Sequence, residues 1–236
     1  MKTIILHSQD LAIAKLVSKK VDAVIQHKRT HFRFTTNKII DLDALREVFK
    51  LDFNFVPESF SPNKTALLVS DMDSTLINIE CIDEIADFAN LKPQVAKITE
   101  LAMQGKLDFD ASLAQRVALL KGLDVSVLEK VYTNKLQVNS GGKELIDFLK
   151  RKHIKSAVVS GGFTYFTDRL TKDIGLDYSR ANILEVENGC LTGLTQGSII
   201  NAKAKADFVH ELCQLHTFEA TQVIVVGDGA NDLKMM

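Results

Sequence analysis

The stretch VSDMDSTLI, residues 69–77, places two aspartates and two hydroxyl side chains directly after a short apolar run. That run, TALLVS at 65–70, is typical of a strand buried inside a parallel sheet. Carboxylates are rarely found at the end of a buried strand unless another group compensates their charge. We therefore expect Asp71 and Asp73 to face a cation.

The composition sets broad limits on the class of protein. The 236 residues include 29 basic and 30 acidic ones, and this balance argues against a partner that is a nucleic acid or a membrane. An odd count of three cysteines favours a reducing compartment over a disulfide framework. We see no signal peptide and no run of membrane-spanning length, so a cytoplasmic location is expected.

Residues 1–62 are interpreted as a small N-terminal α/β module with a linker. The stretch VPESFSPNK (56–64) holds two of the three prolines and predicts that linker. Apolar alternation and helical spacing predict strand, helix, strand, helix and strand in turn, at 3–6, 13–21, 31–36, 41–50 and 52–56. No chemical motif lies in this module, which favours a structural or regulatory role.

The pattern changes in residues 63–236, where strands alternate with helices. After the strand at 65–70 comes a block of helices without strands, at about 80–138. Strands are predicted at 155–160 and 221–227, and a hairpin or an extended excursion turning at Asn188-Gly189 lies between them. Helices are predicted at 141–152, 162–175 and 202–215. This order implies a doubly wound parallel sheet with right-handed crossovers, and an insertion of helices after the first core strand.

Polar residues follow three of the predicted strands at one sheet edge. In sheets of this kind, ligands bind beyond the carboxyl ends of the strands. Carboxylates brought together from two strands would repel each other unless a cation lay between them, and hard oxygen ligands suit Mg²⁺. The polar residues are Asp71, Asp73, Ser74, Thr75, Ser160, Gly161, Gly162, Asp228, Asn231 and Asp232, with Lys203 and Lys205 opening the preceding helix.

Each of these residues also has an ordinary structural explanation. Asp73, Ser74 and Ser160 could be helix N-caps, and the residues of GDGAND (227–232) could form a turn. The joint pattern is what favours chemistry, because independent caps have no reason to recur at three strand ends in this order.

The ordered set DMDST, SGG, a lysine and GDGAND resembles the haloacid dehalogenase superfamily of phosphotransferases. Within it, DMDSTLINIECIDEIADFA, LAMQGKLDFDASLAQRVALLKG and VVSGGFTYF are similar to the phosphoserine phosphatase family. The resemblance covers residues 65–236. It implies a Rossmann-like core with a helical cap at about 80–138. It also implies further sheet elements beyond residue 236, so that this domain is interpreted as truncated at its C-terminus.

The resemblance implies roles for the residues at the sheet edge. Asp71 would be the nucleophile that forms an aspartyl-phosphate, and Asp73 would be the general acid and base. Lys205, rather than Lys203, would neutralise Asp71 and the phosphoryl group. Mg²⁺ would be held by the Asp71 carboxylate, the Asp73 carbonyl and Asp228, with Asp232 in support. The Ser160 hydroxyl, and the Gly161 amide at a helix N-terminus, would hold phosphate oxygens; Asn231 is a further candidate for substrate binding.

Substrate choice is expected to lie in the cap. Glu80 would contact the substrate ammonium and Arg116 its carboxylate, to which the planar guanidinium is suited. Met103 and Phe109 would shield the site from water. Taken singly, Glu80 and Arg116 would be solvated helix residues, and Met103 and Phe109 ordinary core.

The resemblance implies a Mg²⁺-dependent phosphomonoesterase acting on O-phospho-L-serine in the last step of serine biosynthesis. Two alternatives stay open. One is a haloacid dehalogenase-type phosphatase or phosphotransferase that acts on another small phosphate ester. The other is a catalytically impaired, truncated protein with a binding or regulatory role. The expected partner is a small phosphate ester, and the sequence leaves open whether the chain forms a homodimer.

Overall fold

The structure, a computed structural model, describes residues 2–236, apart from the side chain of Met103. The chain divides into two compact units, residues 1–64 and 65–236. The predicted boundary after residue 62 falls in the short helical turn Pro62–Lys64, just before the second unit. The assignment of the two units as separate domains stays a prediction.

The N-terminal unit is a four-stranded antiparallel sheet of order β2-β3-β1-β4 with two helices. Alternate strand residues such as Ile4, Phe32 and Phe34 are buried together with Ala14 and Val17 of the first helix. Only β2 was not expected, because three residues are too few to show an alternating pattern. The elements are β1 (Lys2–Leu6), α1 (Leu11–Val21), β2 (Ile25–His27), β3 (Phe32–Thr36), α2 (Leu42–Phe49) and β4 (Phe53–Val56).

The second unit is built on a five-stranded sheet of order β8-β7-β6-β5-β9. Strand β5 is parallel to both β6 and β9, and β6 is parallel to β7. Strand β8 returns antiparallel to β7 through Asn188 and Gly189, which both have positive φ, so the predicted hairpin is confirmed. The strands are β5 (Leu67–Ser70), β6 (Lys155–Phe163), β7 (Tyr178–Glu187), β8 (Cys190–Gln196) and β9 (Val223–Val226).

Helices cover both faces of this sheet, which confirms the predicted doubly wound α/β core. Leu68 and Val158 face a core cluster shared with α7 (Gly142–Arg151) and α8 (Thr164–Ile174). Their neighbours Leu67 and Ala157 face α9 (Ala202–His216) on the other side. Strands buried on both faces need apolar residues at every position, and this explains the unbroken run LLV at 67–69.

Four helices form an insertion between β5 and α7, at the position of the predicted cap. The two chain segments that enter and leave it are paired, with a β-bridge between Ile77 and Val138. The side-chain amide of Asn139 donates to the carbonyls of Thr75 and Ile77 at 2.8 and 3.2 Å. The helices of the insertion are α3 (Cys81–Phe88), α4 (Lys92–Met103), α5 (Phe109–Ala118) and α6 (Ser126–Asn134).

The far end of the insertion is fixed to the rest of the unit by backbone and side-chain contacts. The segment 122–125 pairs with the β7–β8 hairpin, as shown by the bonds from Gly122 N to Leu191 O and from Leu191 N to Leu123 O, both of 2.8 Å. Glu129 of α6 accepts from Arg169 and from Tyr165 of α8. None of the helices described in residues 2–236 has both the length and the apolar character needed to cross a bilayer.

Strand β6 differs from its predicted form. It continues to Phe163, and α8 begins at Thr164, two residues later than expected. Val159 pairs with Arg180 and Phe163 with Asn182, so residues 160–162 oppose Ala181 alone and form a bulge. The prediction that Gly161 lies at a helix N-terminus is therefore wrong. The small residues SGG allow the strand to bend outward here without ending.

The contact between α6 and α8 predicts how stability varies with acid pH. Hydrogen bonds from Arg169, Tyr165 and Thr133 lower the pKa of Glu129 from its ordinary value to about 2. A lowered folded-state pKa stabilises the fold above the unfolded pKa of 4.5, and the effect is lost as the pH falls towards 2. Glu129→Gln should lower Tm at pH 7, and the Tm difference from the wild type should shrink between pH 4.5 and 2. The exposed Glu187→Gln serves as control, and a Tm difference that does not change with pH would contradict the assignment.

Candidate active site

The candidate site lies where the chain changes direction in the sheet, between β5 and β9. From β5 the chain moves outward through β6 and β7, then returns to the other side of β5 as β9. Parallel strands leave a crevice at such a reversal, at their carboxyl ends. The amide of Asp71 donates to the carbonyl of Val226 at 2.8 Å, which holds the ends of the two strands together.

A buried lysine joins the acidic residues that follow the two strands. Lys205 Nζ lies 2.8 Å from Asp71 Oδ1 and 2.7 Å from Asp232 Oδ1. Relative exposures are 1% for Lys205, 5% for Asp71 and 0% for Asp232. Charges so deeply buried are tolerated only when paired. Lys203 instead pairs with Asp207 at 2.6 Å on the exposed side of α9.

Three carboxylates of this site form a group that could hold a metal ion. One oxygen each from Asp71, Asp228 and Asp232 lies within 4.8 Å of the others. Thr75 Oγ1 donates to Asp228 Oδ1 at 2.6 Å, and Met72 N donates to Asp71 Oδ1 at 2.7 Å. These contacts use Oδ1 of Asp71 and of Asp228 and leave the other oxygen of each available. Converging hard oxygen donors fit a divalent cation.

The loop after β9 is shaped by close approaches of Asp232. A methyl group at Gly227 would lie 2.4 Å from Asp232 Cγ, closer than real Cβ contacts allow. The Gly229 amide donates to Asp232 Oδ2 at 3.1 Å. Asp232 therefore uses one oxygen for the loop and the other for Lys205, and the glycines of GDGAND provide the space it needs.

Asp73 lies beside the bulge of β6 rather than in the acidic group. Its carboxylate accepts from Ser160 Oγ at 3.1 Å and, at 2.9 Å, from the amide of Cys81, which is the first residue of α3. Ser160 Oγ in turn accepts from the Gly162 amide at 2.8 Å. A methyl group at Gly162 would lie 2.6 Å from Asp73 Oδ2. The second glycine of SGG is thus needed for the close approach of Asp73.

Asn182, which the sequence analysis missed, forms hydrogen bonds to the backbone of the bulge. Its side-chain amide donates to the carbonyls of Gly161 and Gly162 at 2.8 and 3.3 Å, and its Oδ1 accepts from Ile200 N at 2.8 Å. It is 2% exposed, and these bonds satisfy backbone groups that the bulge leaves unpaired. The available signal was an amide residue at the start of the apolar stretch NILEV.

Residues of the insertion close the site from the opposite side. The Phe109 ring covers Gly161, since a methyl group there would lie 2.7 Å from Phe109 Cζ. Glu80 Oε1 accepts from Ser74 Oγ at 2.5 Å, and Ser74 has a φ of 55°. The cavity between them measures about 500 Å³. Its lining residues are Asp71, Asp73, Glu80, Ile82, Thr99, Phe109, Leu113, Arg116, Ser160, Gly161, Gly162, Phe163, Asp228, Gly229, Ala230 and Asn231.

Burial shifts the pKa values of the ionisable groups around this cavity. It raises the pKa of Asp71 to about 6, against the opposing effect of Lys205. It also raises the pKa of Asp73, and loss of solvent raises that of Glu80. Burial lowers the pKa of Arg116, although Asp83, Glu80 and Asp73 oppose this. Several titratable groups with perturbed pKa values in one cleft are typical of a functional site.

The structure brings most of the predicted site residues together. Nine of them line the cavity, and Lys205 forms ion pairs with Asp71 and Asp232. Lys203 faces away, and the predicted contact of Met103 lies outside the described side chains. The Asp73 side chain is not part of the acidic group. A contribution of the Asp73 backbone carbonyl to metal binding stays a prediction.

Volume alone does not distinguish this cavity from another of about 540 Å³ beside α6, α7 and α8. That cavity is lined by Lys143, Glu144 and Asp173 among others, and no group of three metal-ligating side chains is found there within the described residues. The paired charges, acidic cluster and glycine bulge mark the cavity between β5 and β9 as the candidate site.

Comparison with known proteins agrees with this geometry. Residues 65–236 match the profile of the haloacid dehalogenase-like hydrolases. The chain belongs to this family, so the resemblance found in the sequence is confirmed.

Within the family, the curated relatives considered are phosphoserine phosphatases. One from Archaeoglobus fulgidus is 47% identical over 193 residues, covering 81% of this chain and 56% of the relative. One from a Polaromonas species is 48% identical over 175 residues, covering 72% of this chain and 74% of the relative. The chain thus spans little more than half the length of the archaeal relative.

Solved structures with the same architecture cover the whole chain. A haloacid dehalogenase family hydrolase from Salmonella enterica has a TM-score of 0.88 at 30% identity, with 86% of that chain covered. A probable phosphoserine phosphatase from Vibrio cholerae has a TM-score of 0.78 at 35% identity, with 75% of that chain covered.

The buried ion-pair group predicts a strong effect of removing its lysine. Lys205→Met would leave Asp71 and Asp232 buried together without a cation, which should lower the unfolding free energy by about 3 kcal/mol. We expect this loss in urea titrations at pH 8 in the presence of EDTA, and a smaller loss at pH 5, where Asp71 can bind a proton. Lys203→Met on the same helix is the matched control. Equal losses for the two variants would contradict the pairing.

Proposed function

We propose that this protein is a Mg²⁺-dependent phosphomonoesterase that hydrolyses O-phospho-L-serine to L-serine and phosphate. The observation that carries the proposal is that Asp71, which is bound to Lys205, lines the same cavity as Glu80 and Arg116. The names of the similar phosphoserine phosphatases support the choice of substrate.

Asp71 is proposed as the nucleophile. Lys205 and the Met72 amide hold its Oδ1, and this fixes the carboxylate at the cavity. Its attack on phosphorus forms an aspartyl-phosphate and breaks the bond from phosphorus to the serine oxygen, which leaves as a hydroxyl once protonated. The pKa of about 6 leaves Asp71 mostly ionised at pH 7, as a nucleophile requires.

Asp73 is proposed as the general acid and base. Burial raises its pKa, and this favours the protonated form that can donate to the leaving oxygen of serine. Its bonds to Ser160 and to the Cys81 amide hold the carboxyl group at the cavity wall. After serine leaves, the ionised Asp73 can take a proton from the water that attacks the aspartyl-phosphate.

The Asp71 carboxylate, the Asp73 carbonyl and Asp228 are the groups that would hold Mg²⁺. Asp232, whose two oxygens accept from Lys205 and from the Gly229 amide, would support them. The bound ion would offset the repulsion between the Asp71 carboxylate and the anionic ester. Lys205 adds a fixed positive charge on the other side of Asp71. Ser160 and Asn231 line the cavity beside this group and are proposed to contact the phosphoryl oxygens.

The insertion is proposed to act as a cap that selects the substrate. Arg116 donates through Nε to the Ser112 carbonyl, and the terminal nitrogens of its guanidinium remain for a carboxylate. Glu80, positioned by Ser74, would accept from the substrate ammonium. A cavity with one basic and one acidic group on the same wall matches an amino acid that carries a phosphate.

Phosphate release from a panel of phosphomonoesters, with and without Mg²⁺, tests the proposal. Phosphoserine should be the preferred ester, and EDTA should abolish release. Asp71→Asn should reduce kcat by at least about 10⁴-fold, because an amide cannot act as the nucleophile. Its Tm should remain near that of the wild type. Release of phosphate by Asp71→Asn at the wild-type rate would exclude Asp71 as nucleophile.

Arg116→Lys tests the source of substrate choice. A lysine keeps the charge but loses the planar fork, so KM for phosphoserine should rise about tenfold or more. O-phosphoethanolamine, which is phosphoserine without the carboxylate, is the matched substrate, and its kcat/KM should change less than twofold. An equal loss on both esters would refute recognition of the carboxylate by Arg116.

A further inference from the structure

A hydrogen bond outside the predicted site residues joins the insertion to the helix that carries the buried lysine. Asn201 Nδ2 lies 3.1 Å from Asp110 Oδ1 and 3.2 Å from Asp110 Oδ2. Asp110 is the second residue of α5, and Asn201 immediately precedes α9. The contact therefore connects α5, which contributes Phe109, Leu113 and Arg116 to the cavity lining, with the start of α9.

On the side of the core, Asn201 fixes the first turn of α9. Its Oδ1 accepts from the amides of Lys203 and Ala204, at 3.1 and 3.2 Å, as an N-cap does. Its backbone carbonyl accepts from the Lys205 amide at 2.9 Å. One side chain thus caps the helix that presents Lys205 and, with its remaining amide hydrogens, reaches the insertion.

On the side of the insertion, Asp110 directly follows Phe109 at the start of α5. The Phe109 ring covers Gly161 at the point where the bulge of β6 approaches Ile200 O. The far end of the insertion is already attached at 122–125, and its two linkers are paired at Ile77 and Val138. At the start of α5, the insertion is attached to the core through Asp110.

We propose that the Asn201–Asp110 hydrogen bond is a latch that holds the start of α5 closed over the carboxylate site. Asn201 is then a positioning residue. Through its bond to Asp110 and its cap on α9, it holds Phe109 and Lys205 in a fixed position relative to each other. Its effect on turnover rests on the proposed function, whereas its effect on the motion of α5 does not.

Hydrogen exchange measured by mass spectrometry tests the latch without substrate. Asp110→Ala and Asn201→Asp should each accelerate exchange of the amides at 109–113 about tenfold; the first removes the acceptor and the second places two carboxylates together. Exchange at 122–125 should stay unchanged, because backbone bonds to the hairpin hold that segment. Asp207→Asn, which breaks an exposed ion pair elsewhere on α9, is the matched control.

The exchanged pair Asp110→Asn with Asn201→Asp provides the decisive variant. Asp at 201 still accepts from the first amides of α9, and Asn at 110 can donate to it. Exchange at 109–113 should return to within twofold of the wild type. Failure of the double variant to restore protection, or singles that match Asp207→Asn, would overturn the latch.

Kinetics then separates this inference from the proposed function. If phosphoserine is the substrate, Asp110→Ala should raise its KM about tenfold with kcat changed less than threefold. Asn201→Ser, which keeps a capping hydroxyl but lacks the longer side-chain amide that reaches Asp110, should match it. Unchanged KM in variants with accelerated exchange would overturn the latch's role in binding. Absence of turnover in the wild type would refute the proposed function and leave the exchange result intact.

Discussion

The placement of one lysine between two buried carboxylates is the constraint on which the site depends. Lys205, in the first turns of α9, contacts both Asp71, which follows β5, and Asp232, in the loop after β9, and these two strands lie side by side in the sheet. Three charged groups removed from water must be mutually satisfied. The glycines of the loop after β9 and the Asn201 cap are the local features that allow this geometry.

The insertion adds charged side chains to a cavity to which the core contributes acidic residues. The core contributes acidic oxygens that fit a cation, and the cation in turn attracts an anion. The insertion adds an acidic and a basic side chain at the opposite wall, together with an aromatic ring over the glycine bulge.

The sequence was most informative where chemistry constrains residue type. Asp71, Asp228 and Asp232 could be placed together because each follows or adjoins a predicted strand at one edge, and the structure leaves the space for an ion between them. It was less informative where tertiary contacts decide. The bulge of β6 is bonded to Asn182 from the neighbouring strand, and the amide residue at the start of NILEV does not by itself indicate which backbone groups it binds. The three-residue β2 is stabilised by pairing with β3 rather than by its own pattern.

The paired linkers at Ile77 and Val138 have an evolutionary consequence. The insertion leaves the core and returns to it through adjacent backbone, so a change in its length need not separate β5 from α7. The acidic residues and Lys205 belong to the core elements on the other side of that junction. A scaffold organised in this way can acquire new specificities by exchange of a single module while its reactive groups are inherited unchanged.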